Sequence, residues 1–476
     1  MSVSRRGFLE IAGASALMAA DSSGQPNVIL MLGDDHRRDA LGCMGNTVVR
    51  TPELDRLAGD GVLFGNHFCT TPICCASRAS IMLGEYAGGH GIYDFATPFN
   101  ARQAERTYYG QLRKAGYHTG FIGKYGVGNK MPTADFDVWM GFPGQGFYFP
   151  NGENGPHLNH IMRDQAIEFL ESAPSGKPFC LSISFKAPHV QDESPAQYLP
   201  SSDTEARYRG VKIPPPAGAG VRDIERFPLA LQHSENRRRW GVRFATPELY
   251  QESVTGYYRL ISGIDDAVGS MRAALDRLGL AKNTIIVYSA DHGIFNGEHG
   301  MAGKWLGHEE CLRIPLIVYD PRLPASARGK RVDAMTLNID LQPTVLALAG
   351  VGSKAPAQGR SVVSYLQDGA AKGRSVWFFE HRFPNGGWIP SSEGIRTRRW
   401  KYIRYTDNAA PFEEMYDLQG DPTEVKNLIG NPAYRKQQET LTRYCATWRK
   451  ALEAWKPETA WSDPVTESDL VGDGIG

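Results

Sequence analysis

The 476-residue sequence predicts an α/β fold: a large, mixed but mostly parallel sheet sandwiched by helices, followed by a small antiparallel sheet with one packed helix. Three observations predict it. Short, uninterrupted apolar runs recur along most of the chain, and such runs read as strands buried on both faces of a sheet. Between them lie stretches with apolar residues every three or four positions, the period of a helix packed by one side. After about residue 370 the texture changes to aromatic-rich runs separated by polar turns.

The first strand-length run is Val28 to Leu32. Gly120 to Ile122 follows a helical stretch ending at Gly116, a residue suited to stopping a helix. Phe179 to Phe185 alternates large apolar and small residues, and Thr284 to Tyr288 is a fourth run. A long helix precedes that run, carried by Tyr257, Leu260, Ile261, Ile264, Val268, Met271, Leu275 and Leu278. Pro315 to Tyr319 leads into a second helical stretch, Leu341 to Leu348. Residues 145–250 are rich in Pro, Gly and Asn and predict long loops over the sheet, the kind of segment that carries function. Val376 to Phe379, Trp400 to Tyr405 and Glu414 to Leu418 supply the small sheet, and Tyr434 to Trp455 its helix. The expected organisation is a catalytic domain over 21–370 and a C-terminal antiparallel-sheet subdomain over 371–476.

Residues 1–20 differ from the rest. Ser4-Arg5-Arg6-Gly7-Phe8-Leu9 precedes a short, small-residue apolar stretch up to Ala20, the pattern of a twin-arginine export signal. The mature protein is therefore expected in the periplasm or secreted. A lasting membrane anchor needs about 20 apolar residues, and none is expected after signal removal. Lysine plus arginine (52) equals aspartate plus glutamate (52), which argues against a nucleic-acid partner. The run Arg237-Arg238-Arg239 reads as a solvated face. The seven cysteines match no zinc spacing and read mainly as buried thiols.

Chemistry gathers at the ends of the predicted strands. The first runs into Asp34-Asp35-His36, the second ends in Gly123-Lys124, the third reaches Lys186 and His189, and the fourth ends in Asp291-His292. Ligands of open α/β sheets bind beyond the carboxyl ends of the strands. If these ends share one edge, acidic clusters suited to a hard divalent cation face cationic groups suited to an anionic substrate. A second signal is Cys74-Cys75-Ala76-Ser77-Arg78, entering a small-residue helix that stops at Gly84.

At this point the chain resembles the type I, formylglycine-dependent sulfatases of the alkaline-phosphatase-like superfamily, most of all bacterial carbohydrate sulfatases. Their signature is Cys-x-Pro/Ala-x-Arg. The resemblance continues through Asp34-Asp35, Gly123-Lys124, Pro188-His189, Asp291-His292-Gly293, Gly297-Glu298-His299-Gly300, Gly303-Lys304-Trp305 and Glu309-Glu310. It implies that Cys74, in register with Arg78, is oxidised to Cα-formylglycine by a maturase, while Cys75 is out of register. The hydrated aldehyde would attack sulfur and later expel sulfate. The resemblance further implies that Asp34, Asp35, Asp291 and His292 hold Ca²⁺ (or Mg²⁺) beside residue 74. Arg78 would orient the nucleophile, Lys124 and Lys304 would clamp sulfate oxygens, and His189 would protonate the leaving alcohol.

Three departures stand out. His292 occupies a position often held by Asn. Ala76 replaces Pro, which points to a radical-type maturase. The motif Gly-Lys-Trp-His-x-Gly reads Gly123-Lys124-Tyr125-Gly126-Val127-Gly128, so its histidine is missing; His90 and His308 are candidate stand-ins or sugar contacts. The expected activity is hydrolysis of sulfate esters, on a sulfated polysaccharide or glycosaminoglycan-type sugar. Phe147, Tyr148 and Phe149 offer aromatic faces for sugar rings. The alternatives are a phosphodiesterase or phosphonate monoester hydrolase on the same scaffold, and a non-catalytic glycan-binding relative.

Overall fold

The computed structural model describes residues 24–353, 356–367, 373–407 and 412–475. The export signal expected over 1–20 and the boundary expected at residue 370 lie outside them. The strands in chain order are β1 (Asn27–Gly33), β2 (Val62–Phe68), β3 (His118–Lys124), β4 (Val138–Phe142), β5 (Phe179–Ser184) and β6 (Thr284–Ala290). A two-stranded ribbon follows, β7 (Phe295–Asn296) and β8 (Ala302–Gly303), then β9 (Arg313–Ile314), β10 (Leu316–Tyr319) and β11 (Lys330–Leu337). Apart from the ribbon they form one sheet in the order β11-β2-β10-β6-β1-β5-β3-β4, with β9 on β2. Strands β6, β1, β5, β3 and β4 are parallel neighbours. Between β6 and β2 runs β10, antiparallel to both.

The principal helices are α1 (Pro52–Asp60), α2 (Cys74–Leu83), α3 (Tyr108–Lys114), α4 (Leu158–Ser172), α5 (Glu235–Arg243), α6 (Pro247–Arg277), α7 (Leu341–Leu348) and α8 (Arg435–Ala454). They cover both faces of the sheet. Ile29 and Met31 of β1 point into a core shared with α1, α4 and α6, whereas Val28, Leu30 and Leu32 point into one shared with α2, α3 and α7. That explains the unbroken apolar run at β1. Each such side chain contributes roughly 1.5–3 kcal/mol relative to leaving it in water. Pro247 opens α6 and Thr246 caps it by accepting from the Leu249 amide, and its apolar stripe from Val254 to Leu275 is buried. Asp265 on that helix accepts from the Glu53 and Leu54 amides at 3.1 and 2.8 Å, capping α1 from across the fold.

The C-terminal part is an antiparallel meander of β12 (Val376–His381), β13 (Ser392–Thr397), β14 (Trp400–Tyr405) and β15 (Glu413–Asp417). Leu441, Tyr444 and Trp448 of α8 pack on it, in a core that also takes in Phe68 of β2 and Ala290 of β6. The meander is thereby joined to the main sheet.

Two differences from the sequence reading have a physical cause. Residues 145–250, expected as loops apart from β5, also contain α4 and several shorter helices including α5. The stripe Met162, Ala166, Phe169 and Leu170 of α4 has helical period, but the Gly- and Asn-rich run before it masks the start. Strands β2, β11 and β13 were not expected, because each mixes polar residues into its run; β4, VWMGF, is apolar but only five residues long and was also missed. Glu393 of β13, for example, is buried and paired with Arg449. All seven cysteines are unpaired, and all but Cys43 are buried. Among the described residues no helix is long and apolar enough to cross a membrane.

Candidate active site

The four strand ends singled out in the sequence belong to β6, β1, β5 and β3, which are adjacent and parallel, so their carboxyl ends share one edge. Asp34 and Asp35 follow β1, Lys124 ends β3, Lys186 and His189 follow β5, and Asp291 and His292 follow β6. Helix α2 arrives beneath this edge with Cys74 in its first turn. All ten of its residues are buried, which explains the small side chains Ala76, Ser77, Ala79 and Ser80. Gly84 ends it in the left-handed conformation.

Cys74 is an unmodified thiol in this structure, and its Sγ marks where the oxygens of an oxidised residue 74 would lie. It is 3.3 Å from His292 Nε2, 3.3 Å from Lys304 Nζ and 3.6 Å from Asp34 Oδ1. Lys304 Nζ also donates to Asp35 Oδ1 at 2.8 Å. Arg78, one turn along α2, is fully buried and donates to Asp291 Oδ2 (2.9 Å), Asp34 Oδ2 (3.1 Å), the Lys124 carbonyl (2.6 Å) and Ser184 Oγ. Lys124 is paired with Asp34 and donates to Gln145 Oε1 at 2.6 Å. His189 Nδ1 lies 2.6 Å from the Val190 carbonyl, which leaves Nε2 facing Asp35 Oδ2 at 3.8 Å.

Electrostatics follow from this packing. Burial opposes ionisation of Asp34, but the cations Lys124, Arg78 and Lys304 overcome it and hold the carboxyl well below the usual range. His189 is pushed well below its ordinary value, first by burial and then by Lys304, so its imidazole is neutral. For Cys74, burial and Asp34 push the thiol up, while Lys124, Lys304 and His292 prevail and lower it. Cys75 is the opposite case: burial, with Cys74 beside it, pushes its thiol up. It sits in an apolar cluster with Ile73, Ala76, Trp305 and Ile389.

Cys74, Arg78, Lys124, His189, Lys304, Asp34, Asp35, Asp291 and His292 are thus brought together. His90 and His308 are placed elsewhere. His90 bonds to Ser80 Oγ at 3.0 Å and accepts from the Ile92 amide, spending both ring nitrogens locally. His308 is fully buried, 3.2 Å from Glu414 and packed on His299 and Tyr416. At Gly126 (φ +74°) a Cβ would fall 2.7 Å from Arg78 Cδ, so the space of a side chain there is taken by Arg78 itself. The aromatic triplet divides: Phe147 is exposed, Tyr148 is buried with its hydroxyl on the His189 carbonyl, and Phe149 packs on His157.

Three further residues escaped sequence reasoning. Gln145, bonded to Lys124, also lines a cleft of about 680 Å³ with Phe142, Phe147 and Glu193. Tyr257 on α6 donates to the Asp35 carbonyl at 2.8 Å and supports that residue in its left-handed turn (φ 65°). His381, at the end of β12, is buried with neither ring nitrogen partnered, close enough to His292 to feel its charge. Only His381 had a signal, a histidine at the end of an aromatic strand run.

Ligand atoms of Asp34, Cys74, Asp291 and His292 lie within 4.8 Å of one another, as do those of Asp34, Asp35 and His189. With an oxygen at residue 74, this set of hard donors and one imidazole fits a divalent cation. Residues 26–351 match the family profile described as Sulfatase. The chain belongs to the sulfatase family. As a sulfatase it is a sulfuric ester hydrolase, and the family generally works through a formylglycine and a divalent metal. Residues 297–451 match a second profile, N-sulphoglucosamine sulphohydrolase, C-terminal. An N-acetylglucosamine-6-O-sulfatase of Bacteroides thetaiotaomicron is 28% identical, over 92% of this sulfatase and 88% of the relative. A solved structure of an enzyme in complex with its substrate D-glucosamine-2-N,6-O-disulfate superposes with a TM-score of 0.77 at 28% identity, covering 91% of this chain and 99% of that one. A phosphonate monoester hydrolase of Agrobacterium radiobacter shares the fold, with a TM-score of 0.73 at 22% identity over 90% and 96% of the two chains.

Proposed function

We propose that this sulfatase desulfates a sugar unit of a sulfated polysaccharide or glycosaminoglycan, with residue 74 as formylglycine and Ca²⁺ (Mg²⁺ as the alternative) held by Asp34, Asp35, Asp291 and His292. The observation that carries the reading is Cys74 itself, within 3.3 Å of both Lys304 and His292 at the start of a buried helix. The sugar class is supported by the substrates named for the two relatives at 28% identity.

The formylglycine hydrate would supply a nucleophilic oxygen, and the cation would lower its pKa and offset charge on the ester. The remaining work belongs to ordinary side chains. Three carboxylates (Asp34, Asp35, Asp291) face three cations (Arg78, Lys124, Lys304), so a bound divalent ion leaves the site positive and receptive to a monoanionic sulfate ester. Arg78 spans Asp34 and Asp291 and fixes their spacing. Lys304, against Sγ, and Lys124, against Asp34, would hold sulfate oxygens as negative charge builds. His189, neutral with Nε2 bare, would take at Nε2 the proton that the attacking hydroxyl of residue 74 gives up and pass it to the leaving alcohol oxygen. The twin-arginine pattern at residues 5–6 supports export to the periplasm or beyond and calls for a maturase that oxidises Cys74 before or during folding.

Peptide mass spectrometry across residues 71–84 of protein from the native host, paired with sulfate release from sulfated glycans, tests the proposal. The expected result is a thiol-to-aldehyde mass loss at Cys74 together with sulfate release. An unmodified Cys74 without turnover supports the glycan-binding alternative, and faster release from phosphonate or phosphate diesters supports the other.

A further inference from the structure

The β12–β13 connection carries an exposed aromatic face on a turn whose flanks pack in the apolar cluster behind Cys75 and Trp305. Of the nine tryptophans, Trp388 alone is exposed, at 64%. It follows Gly386 and Gly387, both in left-handed backbone (φ 71° and 91°), in a turn held by its own hydrogen bonds. Asn385 donates to the Phe383 and Ile389 carbonyls at 2.8 and 3.0 Å and accepts from the Ile389 amide at 2.8 Å. The flanking side chains anchor the turn, since Phe383 and Ile389 pack in the cluster that contains Cys75 and Trp305. The tip of the turn is therefore fixed while its tryptophan faces water.

Helix α5 ties this tip to the catalytic cluster. The Glu235 amide donates to the Trp388 carbonyl at 3.0 Å. The next residue, Asn236, donates to the Lys304 carbonyl at 2.9 Å. One turn along, Arg239 stacks over Trp305, which follows Lys304. Two hydrogen bonds, through Glu235 and Asn236, thus link Trp388 to Lys304, whose Nζ lies 3.3 Å from Cys74 Sγ. It also lines a depression of about 470 Å³ with Leu229, Ala230, His233, Gly386 and Gly387. An aromatic face, an exposed leucine and an imidazole make a surface for a pyranose, whose C–H face is apolar and whose hydroxyls seek hydrogen-bond partners.

We propose that Trp388 is the stacking platform for the sugar residue next along the chain from the one that carries the scissile sulfate, so that the enzyme prefers oligosaccharides to single sugars. This rests on the carbohydrate reading above and adds a specificity-determining residue to it. Leaving the tryptophan exposed on a fixed turn keeps its ordering cost low when a ring covers it.

The test compares glucosamine 6-O-sulfate alone, the same unit at the end of a tetrasaccharide, and 4-nitrophenyl sulfate. Trp388→Ala is expected to lower kcat/KM on the tetrasaccharide by about tenfold, through KM, from the loss of ring stacking and buried area. The single sugar and the aryl sulfate should be cleaved as before, and Trp388→Phe should recover most of the loss. Equal losses on all substrates, or none on the tetrasaccharide, overturn the proposal. So does a change in oligomeric mass by sedimentation without any dependence on substrate length. Calorimetric titration with the desulfated tetrasaccharide separates the two readings. If the wild type binds it and Trp388→Ala does not, the platform stands even where sugar-sulfate turnover is absent. Failure of the wild type to bind it removes the platform while leaving the sulfatase reading intact.

Discussion

Adding one methyl group at Gly126 is expected to disable the site. The backbone there has φ +74°, a conformation that costs an L-residue roughly 1–2 kcal/mol. The new Cβ would also lie 2.7 Å from Arg78 Cδ, well inside contact distance. Arg78 has nowhere inexpensive to go, because its guanidinium is bound by Asp291, Asp34, the Lys124 carbonyl and Ser184. Losing one partner of a buried ion pair typically costs about 3–5 kcal/mol, and a partial shift a fraction of that. The sum for Gly126→Ala is a destabilisation of about 2–4 kcal/mol. A displacement on the order of 1 Å at Arg78 moves the carboxylates it spans, which is worth about a hundredfold in rate. Urea denaturation and initial rates of sulfate release measure both. Gly126→His, which restores the histidine of the family pattern, should do no better, because its Cβ meets the same atom. A Gly126→Ala protein within about 0.5 kcal/mol of wild type and with unchanged kcat refutes the packing argument, as does any gain in rate from Gly126→His.

Three further outcomes follow from the geometry. Dialysis against a chelator should abolish turnover and lower the unfolding temperature, and Ca²⁺ should restore both better than Zn²⁺; activity that survives rigorous chelation would sink the metal assignment. His189→Ala should lose more rate on sugar sulfates, whose alkoxide needs a proton, than on 4-nitrophenyl sulfate; equal losses would remove His189 as the proton carrier. Burial pushes the Asp265 carboxyl up to about 7 from 3.8, the amides of Leu54 and Glu53 offsetting only part of it. A raised acid favours the protonated folded state, so this contribution to stability is fully present below about pH 4 and is lost as pH rises through about 7. Asp265→Asn keeps an acceptor for both amides, so its stability should vary less over that window and exceed the wild type's above it; parallel pH profiles would contradict this.

Much of the scaffold was legible because its signals are local. Unbroken apolar runs mark β1 and β6, and alternation of large apolar with small residues marks β5, since those strands are buried on both faces; the period of α6 survives across its 31 residues. The charged strand ends were legible for the same reason, each ending a recognisable run. What escaped is set by pairing across the fold. Strand β13 looks polar until Glu393 meets Arg449. Gln145 and Tyr257 look like loop and helix residues until the one reaches Lys124 and the other the Asp35 carbonyl. His90 and His308 were plausible in the sequence because a histidine's partners are invisible there; the structure gives His90 to Ser80 and His308 to Glu414.

The two adjacent cysteines show why the register of the signature matters chemically. Cys74 and Cys75 share a helix, a burial class and a side chain, yet they point into opposite surroundings. Around Cys74 stand Lys304, His292 and Lys124, which favour negative charge at residue 74 whether it is carried by a thiolate or by an oxygen. Around Cys75 stand Ile73, Trp305 and Ile389, which disfavour any charge. Moving the nucleophile one residue along α2 would turn it by about 100° and carry it from the cationic edge of the sheet into the apolar wall beneath the Trp388 turn. A substitution at Cys75 that keeps its volume should therefore leave turnover intact.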